Sequence, residues 1–434
     1  MKQLTRLFIP ICLETLFYML SGMVDTLMLS AVGDYAVGAV GTANSYIGIF
    51  IIMFSIISSG MVSVMTQNIG AGRPGVAYQA RQLGLLFNAV AGVLMAVFLF
   101  SGAGAILRMV GIADALYEPA LIYLKIVGGG CILNAVIPIF SSYLRAFGYT
   151  KQPLYATIVG NIANFVMNAV FLFVLHKGVA GVAAATVISK ILNLCIVLYF
   201  SHKLISAKSS TERIANKTVL GQIVKVGLPS ACETALYNVA MMLVIRFLNQ
   251  MDAEGLNVTA RSYTATISNF SYCVGAALAQ ANAIMTGWHI GAGKLEECDR
   301  GTKRAAFVGV CVAVCMETAI VLGSGFIMPL FTDNPEMTAL VRKLLAIDIV
   351  LEIGRVTNLV FGQALKTSGD AVFPAVIAAV FMFVFAVGGT WLFGISMGLM
   401  AVGAYIGLAS DECVRAVGMV WRWKTGKWRT KKLV

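Results

Sequence analysis

Several carboxylates stand in stretches of this chain that are otherwise apolar, among them Glu14 and Asp25 in a run that begins near Leu7, Glu233, and Asp348 with Glu352. A charge at the centre of a bilayer costs roughly 2.5 to 3.5 kcal/mol on insertion scales, so an acid in such a run is a candidate for binding a proton, a metal cation or a cationic solute. Glu14 and Asp25 are eleven residues apart, which on a helix is about 20° off one face and about 16 Å along the axis. One side of the first run therefore carries both acids. Asp348, Glu352 and Arg355 follow at spacings of four and three and share a helical face. That spacing favours a structural ion pair of Glu352 with Arg355 while leaving Glu352 among the candidates for a substrate or proton site with Glu14, Glu233 and Asp348, and Asp348 is open to neutralisation by Arg246 or to a role in proton relay. Glu317 stands alone in its run.

Each acid also has a plainer reading, as a group hydrogen-bonded to Thr, Tyr or amide neighbours that joins two helices. Met23, Tyr46, Met53, Phe54 and Met61 have the adaptable surfaces of a drug cavity, but packing against core or lipid is the commoner fate of such residues. The three histidines, His176, His202 and His289, fall at predicted helix ends or loops, and neither an HExxH pattern nor a phosphate-binding P-loop occurs. No nucleophile or metal constellation points to an intramembrane enzyme. The nine cysteines have no paired extracellular positions and read as free thiols.

The elements that must position these acids are membrane helices. Of 434 residues, 59% are hydrophobic and only 12% charged, about half the charged share of a soluble protein. The apolar runs are of helix length and do not alternate as barrel strands do. They place twelve spans near 7–31, 42–67, 83–107, 119–145, 153–175, 179–201, 223–250, 258–287, 305–329, 338–366, 374–394 and 398–420. The first run is too long for a cleaved leader and leads straight into further spans. With the N-terminus inside, twenty-two Lys and Arg fall on the cytoplasmic side and only Arg108, Lys177, Arg342 and Lys343 on the other. That bias puts both termini in the cytoplasm. The net charge of +12 then reflects topology and lipid contact, and not nucleic acid.

The chain is also duplicated. Pro10, Glu14-Thr15 and Tyr18 recur as Pro229, Glu233-Thr234 and Tyr237, at an offset of 219 positions. Ile69-Gly70-Ala71-Gly72-Arg73 recurs as Ile290-Gly291-Ala292-Gly293-Lys294, and Leu144-Arg145 with Gly148 and Pro153 recurs as Leu365-Lys366 with Gly369 and Pro374, both at 221. Three ordered matches near one offset mark an internal repeat. The glycine-rich pairs read as tight turns rather than phosphate cradles. The expected organisation is an N-lobe over 1–201, a cytoplasmic linker over 202–222 and a C-lobe over 223–434 ending in a basic tail. Six spans return the chain to its starting side, so the halves form a parallel repeat about an axis along the membrane normal, with a midline cavity to which Glu14 and Glu233 present symmetric carboxylates.

Pro10, Met23-Val24-Asp25-Thr26, the two Ile-Gly-Ala-Gly turns, Arg145-Ala146-Phe147-Gly148 leading to Pro153, and the Gly178 to Thr186 stretch together resemble the multidrug and toxic compound extrusion (MATE) family, over nearly the whole chain. The resemblance implies an all-α polytopic membrane protein with twelve transmembrane helices in two six-helix lobes. It also implies a secondary antiporter of the plasma membrane that exports amphipathic, cationic small molecules on a sodium or proton gradient. The family's cation-binding aspartate matches Asp25, and its partners match Asn164, Asn168 and Thr186. The usual second carboxylate is here the amide of Asn168. Sodium accepts amide and hydroxyl oxygens as hard ligands, so the set survives with one charge fewer. Lys190, one turn beyond Thr186 and mid-span, is placed to reach Asp25 and compete with a cation. No cofactor is implied beyond the coupling ion, and the partners are substrate and lipid, with the chain acting as a monomer. The alternative is a flippase for a lipid-linked glycan, which would need cavity Arg and Lys for a pyrophosphate.

Overall fold

The computed structural model describes residues 2–109, 112–205, 212–252 and 255–434, and no β-strand occurs among the described residues. The helices are α1 (Lys2–Ser30), α2 (Asp34–Gly70), α3 (Pro74–Met109), α4 (Asp114–Gly129), α5 (Cys131–Ala146), α6 (Lys151–Ala169) and α7 (Gly178–Leu204). They continue as α8 (Asn216–Met251), α9 (Leu256–Gly291), α10 (Leu295–Ile327), α11 (Pro335–Ser368), α12 (Val372–Phe381) and α13 (Met400–Lys424).

Eight helical segments are long and apolar enough to cross a membrane, and α4 with α5 makes a ninth that is bent by 41°. The single span expected over 119–145 is thus two helices. Three successive glycines, Gly128 to Gly130, occupy the break, where the missing side chains let the backbone turn. The remaining spans, α9, α11 and α13, are of similar length but more polar. These three are mutual neighbours, with α11 packed on both α9 and α13. They turn polar and charged groups toward one another instead of toward lipid, which brings the total to the twelve transmembrane helices of the sequence reading.

The repeated glycines do what the duplication implied. Gly72 and Gly293 have φ of 75° and 74°, and Gly148 and Gly369 have 86° and 96°, left-handed values that a side chain would strain. Each turn is closed by an equivalent bond: Arg73 N to Asn68 O and Lys294 N to His289 O, both 2.8 Å. Tyr149 N to Leu144 O at 2.9 Å and Asp370 N to Leu365 O at 3.0 Å form the second matched pair. These six-residue closures satisfy carbonyls left open at the helix ends.

Contacts divide the chain into two compact units, Ile9–Gly227 and Met1–Phe8 with Leu228–Val434, called here the N-terminal and C-terminal units. Each division falls inside a helix, immediately before the stretch that opens with Pro10 in α1 and Pro229 in α8. Proline brings no N–H to the helical ladder, so one backbone bond is missing at each of these points. The linker is shorter than the sequence implied, since α7 runs to Leu204 and α8 begins at Asn216; residues 206–211, Lys208 among them, lie outside the described residues. The basic tail packs into the C-terminal unit. Trp428 stacks on Trp423 with ring centroids 4.2 Å apart, Trp423 Nε1 donates to Asp299 at 2.7 Å, and Arg422 clamps Asp370 at 2.7 and 3.1 Å.

Candidate cation sites in the two units

In the N-terminal unit a chain of polar side chains links α1, α6 and α7. Asn168 Nδ2 donates to Asp25 Oδ1 at 2.8 Å and to Asn164 Oδ1 at 3.1 Å. Asn164 Nδ2 reaches Ser189 Oγ at 3.5 Å, and Ser189 Oγ returns to the Thr186 carbonyl at 3.0 Å. Residues 164 and 168 share a face of α6, one turn apart, so both amides point into the same place. The Thr186 hydroxyl donates to Val182 O at 2.9 Å and faces Tyr123, which also meets Asn44. Beside Ser189 on α7, Lys190 extends its ammonium to Asn134 Oδ1 on α5 at 2.8 Å and interacts electrostatically with Asp25. The structure therefore brings Asp25, Asn164, Asn168 and Thr186 into one network and adds Lys190, Asn134 and Tyr123 to it.

The C-terminal unit concentrates charge. Glu317 on α10 and Asp348 and Glu352 on α11 are all buried, and each offers an oxygen within 4.8 Å of the others. Two like charges about 5 Å apart repel by about 3 kcal/mol at an effective dielectric near 20. Among the described residues neither Glu317 oxygen has a hydrogen-bonding donor in good geometry, and one oxygen each of Asp348 and Glu352 is in the same position. Ser271 and Ser268 on α9 face Glu317 and Asp348. Among the described residues Glu352 is the one of the three in an ion pair, with Arg355 one turn on as the i,i+3 spacing implied, and the Arg355 charge also acts on Asp348 and Glu317. Arg246, the other base considered for Asp348, is exposed.

Arg355 also lies 3.9 Å from Glu412 on α13, and Glu412 accepts from Asn358 at 3.0 Å and from Arg415 at 2.7 Å. Arg415 is clamped by Asp411 through contacts of 2.7 to 3.1 Å. Such proximity requires α11 and α13 to touch by their backbones. At Gly354 a Cβ would sit 2.7 Å from Cys413 N, so glycine is needed there. A cavity of about 250 Å³ opens beside the network, lined by Glu233, Tyr237, Tyr272, Lys366, Glu412 and Arg415 among others.

The duplicated glutamates are paired with duplicated bases. Arg145 Nη2 donates to Glu14 Oε1 at 2.6 Å in the N-terminal unit, and Lys366 lies 2.8 Å from Glu233 in the C-terminal unit. Both pairs are largely buried. Each glutamate therefore faces the membrane interior together with a base, and Glu233 lines the C-terminal cavity beside Lys366.

A model of the MatE family matches residues 10–170 and 229–392, so that each matched half begins at a repeated proline. The chain belongs to the MATE family. It is 32% identical over 428 residues to the uncharacterized transporter YisQ of Bacillus subtilis, covering 97% of this chain and 94% of that one. It is 20% identical to the probable multidrug resistance protein NorM of Thermotoga maritima, over 100% of this chain and 94% of the relative. A MATE crystal structure in the straight conformation superimposes with a TM-score of 0.87 at 22% identity, over 99% of this chain and 97% of that one. At that identity the likeness speaks for the fold. As a MATE transporter the protein is a multi-pass membrane protein with the twelve-helix architecture expected.

Within this MATE chain, sequence reasoning passed over Arg145 and Lys366 as partners of the glutamates, although both had been singled out in repeats of matching offset. It also passed over Asp411, Glu412 and Arg415, whose spacing of three and four inside an apolar run was a legible signal. Asn134 and Tyr123 carried no pattern that would have found them.

Proposed function

We propose that this protein is a secondary antiporter that exports amphipathic, cationic small molecules across the plasma membrane in exchange for sodium ions or protons. The observation that carries the reading is the buried group of Glu317, Asp348 and Glu352. Three carboxylates at this spacing, with one guanidinium among them, are stable inside a membrane only when protons or a bound cation share their oxygens. A group that must hold a positive charge, and whose occupancy follows the ion on either side, is what coupling to an ion gradient requires. The name of the Thermotoga maritima relative, a probable multidrug resistance protein, supports the substrate class. The glycan-flippase alternative finds no support in the cavity, because Arg355, Lys366 and Arg415 are each engaged by a carboxylate and none is left for a pyrophosphate.

The test is efflux of a lipophilic cation from proteoliposomes with pH and sodium gradients imposed separately. One of the two gradients drives wild-type efflux. Glu317→Gln, which keeps size while removing the charge, reduces the gradient-driven part at least tenfold with normal insertion. Efflux indifferent to both gradients, or unaltered in a folded Glu317→Gln protein, overturns the reading.

A further inference from the structure

The sodium ion that the family resemblance attaches to Asp25 does not suit the donor set around it. A sodium site needs several hard oxygens aimed at one point. Here the Asn168 amide points its N–H groups at Asp25 Oδ1 and Asn164 Oδ1, so the two oxygens that would bind a metal already accept hydrogen bonds. Asn168 Oδ1 is buried and has no donor among the described residues, but it belongs to the amide whose other end is turned to the carboxylate. The Thr186 hydroxyl spends its proton on its own helix, and the Ser189 hydroxyl is tied to the Thr186 carbonyl. One carboxylate is left to balance an incoming cation.

That carboxylate already has its counter-charge. Lys190 is carried on α7 next to Ser189, which is joined through Asn164 and Asn168 to Asp25, and its ammonium is held at 2.8 Å by the Asn134 oxygen. The groups facing this network from the packed helices are Asp25 and Tyr18 on α1, Tyr123 on α4, Cys131 on α5 and Lys190 on α7. Asn44 of α2 and the two asparagines of α6 are uncharged. With Tyr and Cys in their ordinary protonated forms, one negative and one positive charge remain. We propose that Lys190 is the resident cation of this site, a tethered ammonium standing in the place of sodium, so that Asp25 and its neighbours bind no sodium ion.

The same reasoning says what would restore a sodium site. Replacing Lys190 by methionine removes the competing charge at nearly constant length, and replacing Asn168 by aspartate returns the second carboxylate and removes the N–H donors. Either change lowers the positive charge of the network by one unit, and a unit charge at several ångströms in a partly buried setting changes cation affinity by about tenfold or more. This inference deepens the proposed antiport by naming which ion the N-terminal unit excludes. It is tested without transport.

Equilibrium binding of radioactive sodium to the purified full-length protein is measured for wild type, Asp25→Asn, Lys190→Met/Asn168→Asp, and that double variant with Asp25→Asn added. Whatever sodium the wild type binds elsewhere, Asp25→Asn leaves it unchanged. The double variant gains a saturable component that the added Asp25→Asn removes. Lys190→Arg, which keeps the charge, behaves as wild type. Wild-type sodium binding that is lost in Asp25→Asn overturns the proposal, and so does a monodisperse double variant that gains no binding. Because no gradient or substrate enters the measurement, a failure of antiport would be seen in the efflux assay and not here.

Discussion

The two units share one ancestral plan and differ in what they do with it. Cys131, Asn134 and Lys190 of the N-terminal unit stand 221 positions before Glu352, Arg355 and Asp411 of the C-terminal unit. The same three places hold a thiol, an amide and an ammonium in one unit, and a carboxylate, a guanidinium and a carboxylate in the other. Asp25, conversely, falls opposite the buried apolar Val244 at the offset of the proline motif. What stayed alike is the frame: the glutamate–base pair, the left-handed glycines and the closed turns. The helix interiors diverge, where one unit balances a single acid against a single base and the other keeps carboxylates in excess over its cations. A conserved scaffold fixes where side chains meet, and the residues that meet there set the local charge.

This contrast can be broken most directly at Asp25. Asp25→Asn leaves Lys190 without a counter-charge and brings gradient-driven export down to the level of empty vesicles, with membrane insertion intact. Export at the wild-type rate by this variant would show that the balanced acid and base of the N-terminal unit are not needed for transport. In the C-terminal unit the largest structural effect falls on Arg415, which neutralises Asp411 and Glu412 while almost fully buried. Arg415→Leu strands Asp411, while Glu412 keeps Asn358 and Arg355, and costs about 3 to 5 kcal/mol, read as a fall in thermal stability of the detergent-purified protein. Leu194, the matching residue of the N-terminal unit, tolerates an exchange to Met within about 1.5 kcal/mol, since it carries no charge to strand. Equal losses at the two positions would erase the distinction between the units.

The smallest effects belong to the feature the units have in common. Glu14→Gln or Glu233→Gln removes the negative charge that faces Arg145 or Lys366. Because neither pair is completely buried, each substitution costs about 1 to 2 kcal/mol, below the loss for a fully buried pair. Removing both members, as in Glu14→Gln with Arg145→Met or Glu233→Gln with Lys366→Met, recovers at least half of that loss. Recovery in one unit only, measured by the same thermal unfolding, would show that the repeated pairs no longer serve one purpose.

The amino-acid sequence by itself determined the twelve spans, the repeat and the tight turns, because each rests on local chemistry. An apolar run of helix length must close its own hydrogen bonds in a membrane, and a glycine with φ near 75° needs no partner from afar. It also marked most of the acids, since a carboxylate in an apolar run stands out unaided. Only the tertiary structure decided their company. Glu14 meets Arg145 across 131 positions, Asp25 meets Asn168 across 143, and Lys190 reaches Asn134 across 56. It also decided that α6 passes into a π-helical stretch at Val170–Val174, and that α12 passes into one at Met382–Val387 followed by another at Thr390–Ser396, the last near the matching place in the repeat. The physical reason is that a residue's place along a helix follows from counting, whereas the neighbour it faces depends on how that helix is rotated and how closely it is packed. Those are set by the fit of many side chains at once, and no single stretch of sequence contains them.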